Sequence, residues 1–176
     1  GVIALNQDGE RRNIMCDLTG PTSLTVLPNN QIAVIEEVTN SILLIQPDGT
    51  SRYLVRGNPP IIDFAVLHNG EIVILNRLRE FTLRLLSNHQ YFLPETNRFL
   101  SFINDPMIEV GGDGNLYLYH SFLQEMYVYS PEGELISFVD VPFSIQRMMP
   151  VANAGIALVT DQGRESKLIY MDQFGN

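Results

Sequence analysis

Two independent series of turn signals run through this chain with one shared spacing, and that spacing limits the fold more than any other feature. The first series is Pro28-Asn29-Asn30-Gln31, His68-Asn69-Gly70-Glu71, Gly112-Asp113-Gly114-Asn115 and Ala152-Asn153-Ala154-Gly155. The second is Gln7-Asp8-Gly9, Pro47-Asp48-Gly49, Ser87-Asn88-His89, Pro131-Glu132-Gly133 and Gln173-Phe174-Gly175. Both recur about every 40 to 44 residues. Asn-Gly and Asp-Gly pairs favour tight hairpins because Gly, and less readily Asn or Asp, tolerates positive φ; a type I′ turn is the expectation at Asp113-Gly114. Between the turns lie apolar runs of four to seven residues rich in Val, Ile, Leu, Tyr and Phe, of which Leu116–Tyr119 and Met126–Tyr129 are the clearest. Their length and composition are those of strands.

Four strands per period of about 42 residues is the pattern of a β-propeller blade. The expected fold class is therefore all-β, a propeller of four-stranded antiparallel blades. The blades divide as 1–16 (the end of one blade), 17–56, 57–96, 97–141 and 142–176 (an incomplete blade). Helical periodicity is weak throughout. Phe81–Leu86 falls where a third strand belongs, and Phe92–Ile103 reads as an irregular insertion. The first strand of each blade is expected to be buried on both faces and the fourth to be wet, as Ser51, Arg52, Glu134 and Ser137 suggest. About four blades are present, with opening and closing strands that overlap rather than complement one another. The expectation is an incomplete or open arc, a segment of a larger propeller whose uncovered edges and faces associate with further blades, another chain or a second subunit.

The stretch from Pro106 to Leu118, followed by Glu125 to Leu135, resembles the NHL-type propeller repeat: a proline, a small apolar strand, an Asp-Gly-Asn turn, an apolar strand, a polar loop and a strand ending at a Gly turn. Gly20-Pro21, Asn29-Asn30, Thr39-Asn40-Ser41-Ile42 and Pro47-Asp48-Gly49 fit the same frame. The resemblance implies the propeller architecture and says little about activity, because propellers host many unrelated functions. Related lactonases hold a metal at the central axis with a Glu, an Asn and an Asp; only Asn104-Asp105 partly suits that pattern, so the metal site does not carry over.

Chemistry-bearing residues are sparse. Net charge is −9, and Arg11-Arg12 is the one adjacent basic pair, which is a poor footprint for nucleic acid. No apolar run reaches the length of a membrane span, and no leader peptide is recognisable. Cys16 stands alone and reads as a buried thiol with no disulfide partner. The compartment stays open, with an extracytoplasmic one preferred. Glu36, Asp105 and Asp161 could supply oxygen ligands to Ca²⁺ in a metal-dependent lactonase or hydrolase, although ordinary loop carboxylates account for them better. His68 and His89 fall in turns and are expected to be solvated. His120 ends a second strand beside Ser121, but neighbouring strand residues face opposite ways, so the two do not make a nucleophile and base. Tyr117, Tyr119, Tyr127 and Tyr129 read as cross-strand aromatic pairs in preference to a stacking platform for a ligand. No cofactor and no catalytic residue is assigned.

The loops joining second to third strands differ strongly among the repeats, and variable loops on one face of stacked blades make an interaction surface. Its candidate residues are Glu36, Glu37, Asn40, Arg77, Arg79, His120, Phe122, Asp161 and Arg164, with Arg77, Arg79 and Phe122 as natural anchors. The functional expectation is a non-enzymatic scaffold that binds a protein partner, with the metal-dependent hydrolase as the alternative.

Overall fold

The computed structural model describes residues 2–5, 7–15, 17–27, 29–57, 60–77, 81–85, 91–92, 106–161 and 166–176. Every regular element among them is a β-strand. A pair, β1 (Val2–Leu5) and β2 (Arg11–Met15), comes first. The first four-stranded sheet holds β3 (Pro21–Val26), β4 (Ile32–Glu36), β5 (Ser41–Ile45) and β6 (Ser51–Arg56). The second holds β7 (Ile61–Val66), β8 (Ile72–Arg77), β9 (Phe81–Leu85) and β10 (Tyr91–Phe92). The third holds β11 (Met107–Val110), β12 (Leu116–His120), β13 (Glu125–Tyr129) and β14 (Leu135–Asp140). A three-stranded sheet of β15 (Ile145–Pro150), β16 (Ile156–Asp161) and β17 (Ser166–Met171) closes the order. In each sheet the strands lie in chain order, and the registered pairs are antiparallel. This is an all-β chain of propeller sheets. The strand expected at Phe81–Leu86 is present as β9, while the expected insertion falls mostly on residues 93–103, outside the described residues.

Most of the described turns after first and third strands use one device. The Gly111 N–H donates to the Asn115 C=O and the Gly114 N–H donates to the Gly111 C=O, with Gly114 at φ +87°. The same pair of bonds closes Leu67–Glu71, Gln46–Thr50, Ser130–Glu134 and Asp172–Asn176, each with a positive-φ Gly, and Leu27–Gln31, where Asn30 takes that position. Asp113 keeps negative φ, so this is a type I turn followed by a left-handed bulge residue and not the expected type I′ turn. Gly49, Gly70, Gly114 and Gly133 all hold positive φ. The turn Val151–Gly155 departs: Asn153, not Ala154, is left-handed.

The chain forms two compact units, Gly1–Ile61 and Ile62–Asn176. In the first, Val34, Leu43 and Ile45 pack with Val2, Ile14 and Leu18, so one sheet face is covered by the opening pair. In the second, alternation along the strands makes two cores. Leu116, Leu118, Tyr127 and Tyr129 pack with Ala65, Leu67, Val73 and Leu75 of the preceding sheet. Tyr117, Tyr119, Met126 and Val128 pack with Ile145, Met148, Ile156 and Leu158 of the following sheet. Consecutive side chains point to opposite faces, so one strand serves both neighbours.

Two expectations need correction here. Burial on both faces is most complete in the second and third strands β4, β5, β12 and β13; of the first strands, β7 and β11 expose no residue while β3 and β15 alternate with exposed ones, and the third strand β17 is largely exposed. An interior strand has a paired strand on each edge as well as a sheet on each face. The four tyrosines do not pair with one another; Tyr117 lies opposite Val128 and Tyr119 opposite Met126, while Tyr127 and Tyr129 face the other core. The aromatic contact that forms is Tyr127 stacked on Phe138, with centroids 5.8 Å apart.

Candidate functional site

The described buried polar side chains concentrate where second strands end. Glu36, Asn76, His120 and Thr160 each stand nine positions beyond the first residue of the preceding turn (Leu27, Leu67, Gly111 and Val151). All four are at most 2% exposed. Their cross-strand neighbours are also polar: Ser41, Thr82, Glu125 and Lys167. A buried polar group is stabilised by hydrogen bonds to what lies next to it, and Glu36 and His120 make such bonds. In the two described loops that is the segment leading to the third strand, Glu37–Asn40 and Ser121–Gln124.

In the first unit the loop is Glu37–Asn40. The buried Glu36 carboxylate accepts the Thr19 N–H at 2.9 Å and the Thr39 hydroxyl at 3.2 Å. Thr39 and Ser41 share a further hydroxyl bond. Asn40 is left-handed; its Oδ1 accepts the Ile61 N–H at 2.7 Å, its Nδ2 donates to the Gly57 carbonyl, and its own carbonyl accepts the Gly57 N–H. The loop is thus laced to the connections before and after its sheet. Val38, at its tip, is 72% exposed.

In the second unit the equivalent loop is Ser121–Gln124. Gln124 is left-handed like Asn40, and its carbonyl accepts the Val141 N–H. His120 Nδ1 accepts the Leu123 N–H at 3.1 Å. Burial disfavours the imidazolium and holds the His120 pKa below its ordinary value, while the charge of Glu125 opposes the shift in part. Glu125 itself is buried and accepts the Tyr127 hydroxyl. The Tyr119 hydroxyl donates to the Phe143 carbonyl at 3.0 Å. Phe122 sits at the tip, 51% exposed, in the position that Val38 takes in the first unit.

The candidate residues therefore separate. Glu36 and His120 are buried locks and not the exposed loop groups expected, because each is the last inward-facing residue of its strand. Glu37 and Phe122 are exposed, and Asn40 is half-buried and spent on backbone groups. The side chains of Arg77 and Asp161, and Arg79, Asp105 and Arg164 altogether, lie outside the described residues, as do His89 and Cys16. His68 is exposed, as expected. Asn76, Glu125 and Thr160 were missed; the available signal was a polar residue closing each apolar second strand at a constant distance from its turn.

Two further carboxylates stand on first strands. Asp63 accepts the N–H groups of Phe64 and, in the neighbouring sheet, Ile108 at 3.1 Å. Glu109 accepts the Val110 N–H; its carboxyl pKa is raised by burial, and the charge of Asp63 adds to the rise. Both acids are engaged by backbone. Among the described residues, no group of three or more His, Cys, Asp or Glu is placed to hold a metal ion, and no helix is long and apolar enough to cross a membrane.

No protein-family model matches the chain, and no curated protein does. Solved structures do match. Virginiamycin B lyase from Staphylococcus aureus superposes with a TM-score of 0.63 at 18% identity, over 91% of this chain and 55% of that one. The gluconolactonase XC5397 from Xanthomonas campestris gives 0.68 at 14% identity, over 98% and 66%. YCF48 bound to D1 peptide gives 0.60 at 13% identity, over 96% and 56%. The chain spans about half to two-thirds of the length of these structures. All are β-propeller proteins, and at such identities the likeness shows the fold.

Proposed function

We propose that the chain is an NHL-like propeller segment that binds a protein partner through the loops joining second to third strands. The observation that carries this reading is the construction of the two described loops. Each has a large apolar side chain exposed at its tip, Val38 or Phe122, above a buried polar lock, Glu36 or His120. An apolar group in water is unfavourable by itself, and a loop laced by its own hydrogen bonds loses little entropy on binding. That combination suits an anchor for a partner better than a drifting surface loop. The peptide bound by YCF48 supports protein partners for this kind of fold. The segment division at 17–56, 57–96 and 97–141, and the contribution of Arg77, Arg79, Asp161 and Arg164, belong to the same proposal, as does association with further blades.

Selection of peptides from a random display library on the immobilised chain, followed by affinity measurements, tests the reading. Phe122→Glu is expected to weaken selected peptides at least tenfold, the scale of an interface hot spot. Undiminished binding to both Phe122→Glu and Val38→Glu, or stoichiometric Ca²⁺ binding with lactone hydrolysis, would overturn it.

A further inference from the structure

We propose that His120 is a proton-operated latch on the Ser121–Gln124 loop: neutral, it holds the loop closed, and protonated at Nδ1, it releases it. This rests on the reading of Phe122 as an interaction anchor only for its consequence, not for its chemistry. The Leu123 N–H points at Nδ1 from 3.1 Å, so Nδ1 must be the unprotonated nitrogen. Adding a proton there sets a donor against a donor. Both groups would be left without that bond at a side chain that is 1% exposed. Leu123 packs against the core around Leu75 and Leu118, so losing its amide bond loosens the one apolar anchor of the loop.

The groups facing the imidazole fix the direction. From β13, Glu125 lies directly across the strand pair, and the Tyr127 phenol donates to it from behind. On β11, Met107 pairs with Tyr119, the residue before His120. Within the loop, Ser121, Phe122 and Leu123 bring no charge. Among the described residues Glu125 alone supplies a charge that favours the cation, a hydrogen bond to the His120 backbone also favours it, and burial outweighs both. A closed loop therefore holds the pKa below the ordinary value of about 6.5, and an open loop restores it. Protons bind the open form more tightly. The closed form is fully favoured above pH ~6.5 and is lost as pH falls below it, by up to about tenfold per pH unit until the closed-state pKa is reached. The equivalent loop of the first unit is held by Glu36, Thr39 and Asn40, with no imidazole. A partner bound through Phe122 would accordingly be released on mild acidification while Val38 stayed in place.

Amide hydrogen exchange of the full chain, corrected for the intrinsic pH dependence, reads the latch without any partner. Leu123 should lose at least tenfold in protection between pH 7.5 and 5.0 relative to the Gly114 amide, which bonds backbone to backbone in a turn. His120→Asn, whose side-chain carbonyl can still accept the Leu123 N–H, should abolish that loss. Glu125→Gln removes the charge that favours the cation and should move the transition to lower pH; it serves as the second variant if His120→Asn does not fold. Leu123 protection that follows Gly114 at both pH values, a pH-dependent loss retained in His120→Asn, or a transition unmoved in Glu125→Gln would overturn the proposal. Should the exchange behave as expected while selected peptides ignore Phe122, the latch stands and the interaction reading falls.

Discussion

At one end of the sheets the described turns are five residues long, closed by two backbone bonds and a left-handed residue that is most often glycine; at the other, the two described loops are four residues long and closed by buried side chains. The first end is nearly the same from repeat to repeat. At the second, the lock is a carboxylate in one sheet and an imidazole in another. At the turn end the two backbone bonds are joined by an Asn or Asp side chain, Asn29, Asp48, Asn69 or Asp113, that accepts the N–H two residues on, so the same small set of residues recurs there. Side-chain closure admits any polar group that finds a partner, so variation collects there. Two sheets of the second unit also touch at the turn end: the Gly112 N–H donates to the Gly155 carbonyl and the Asn115 side chain donates to Gln173, while Tyr117 and Asn115 donate to Asp113 within their own sheet.

Three substitutions grade this contrast. Gly112→Ala should be the most damaging. A Cβ there would fall inside the backbone carbonyl of Val151, which no side-chain movement relieves. The expected loss is about 3 kcal/mol or more, seen as a fall of roughly 6–12 °C in the thermal midpoint. Retained stability would mean that the turns of neighbouring sheets are not in contact.

Glu36→Ala comes next, at about 1–3 kcal/mol by chemical denaturation, because it leaves the Thr19 N–H and the Thr39 hydroxyl without their acceptor. Glu36→Gln, which keeps one acceptor, should lose less. Equal losses in both variants would point to the charge and not to the hydrogen bonds as what the loop requires.

Gly114→Val is expected to cost about 1–2 kcal/mol, since a β-branched residue is strained at φ +87° and its Cβ would stand 3.3 Å from the His68 ring. The same measurement on Gly70→Val, at φ +84° with open space around it, isolates the backbone part. If Gly70→Val were harmless, the left-handed bulge would not be what closes these turns.

The order of these effects tracks how readily each feature could be read in advance. Asp113-Gly114 and its relatives announce their turns through residues whose local preferences suffice. The strands follow from short apolar runs between those turns. Asn30, filling a glycine position, was readable for the same reason. The locks were not readable as locks. The turn spacing puts Glu36 and His120 in the loops and points to Arg77 and Asp161, whereas the buried residues are Asn76 and Thr160, one position earlier. In a strand one position is the difference between the two faces, and only the packed sheet decides which residue is the last to turn inward.

Leu168 and Tyr170 of β17 make the same point. They occupy the places that Met126 and Val128 hold in β13, in equally apolar strands; the first pair is more than half exposed and the second wholly buried. The amino-acid sequence by itself determined the repeat, the turns, the strands and their alternation, because each depends on neighbours within a few residues along the chain. Tertiary structure decided which strands are dry, which polar groups are enclosed and which apolar side chains are left to meet a partner. Those properties depend on what lies against a sheet face, and no residue carries that information alone.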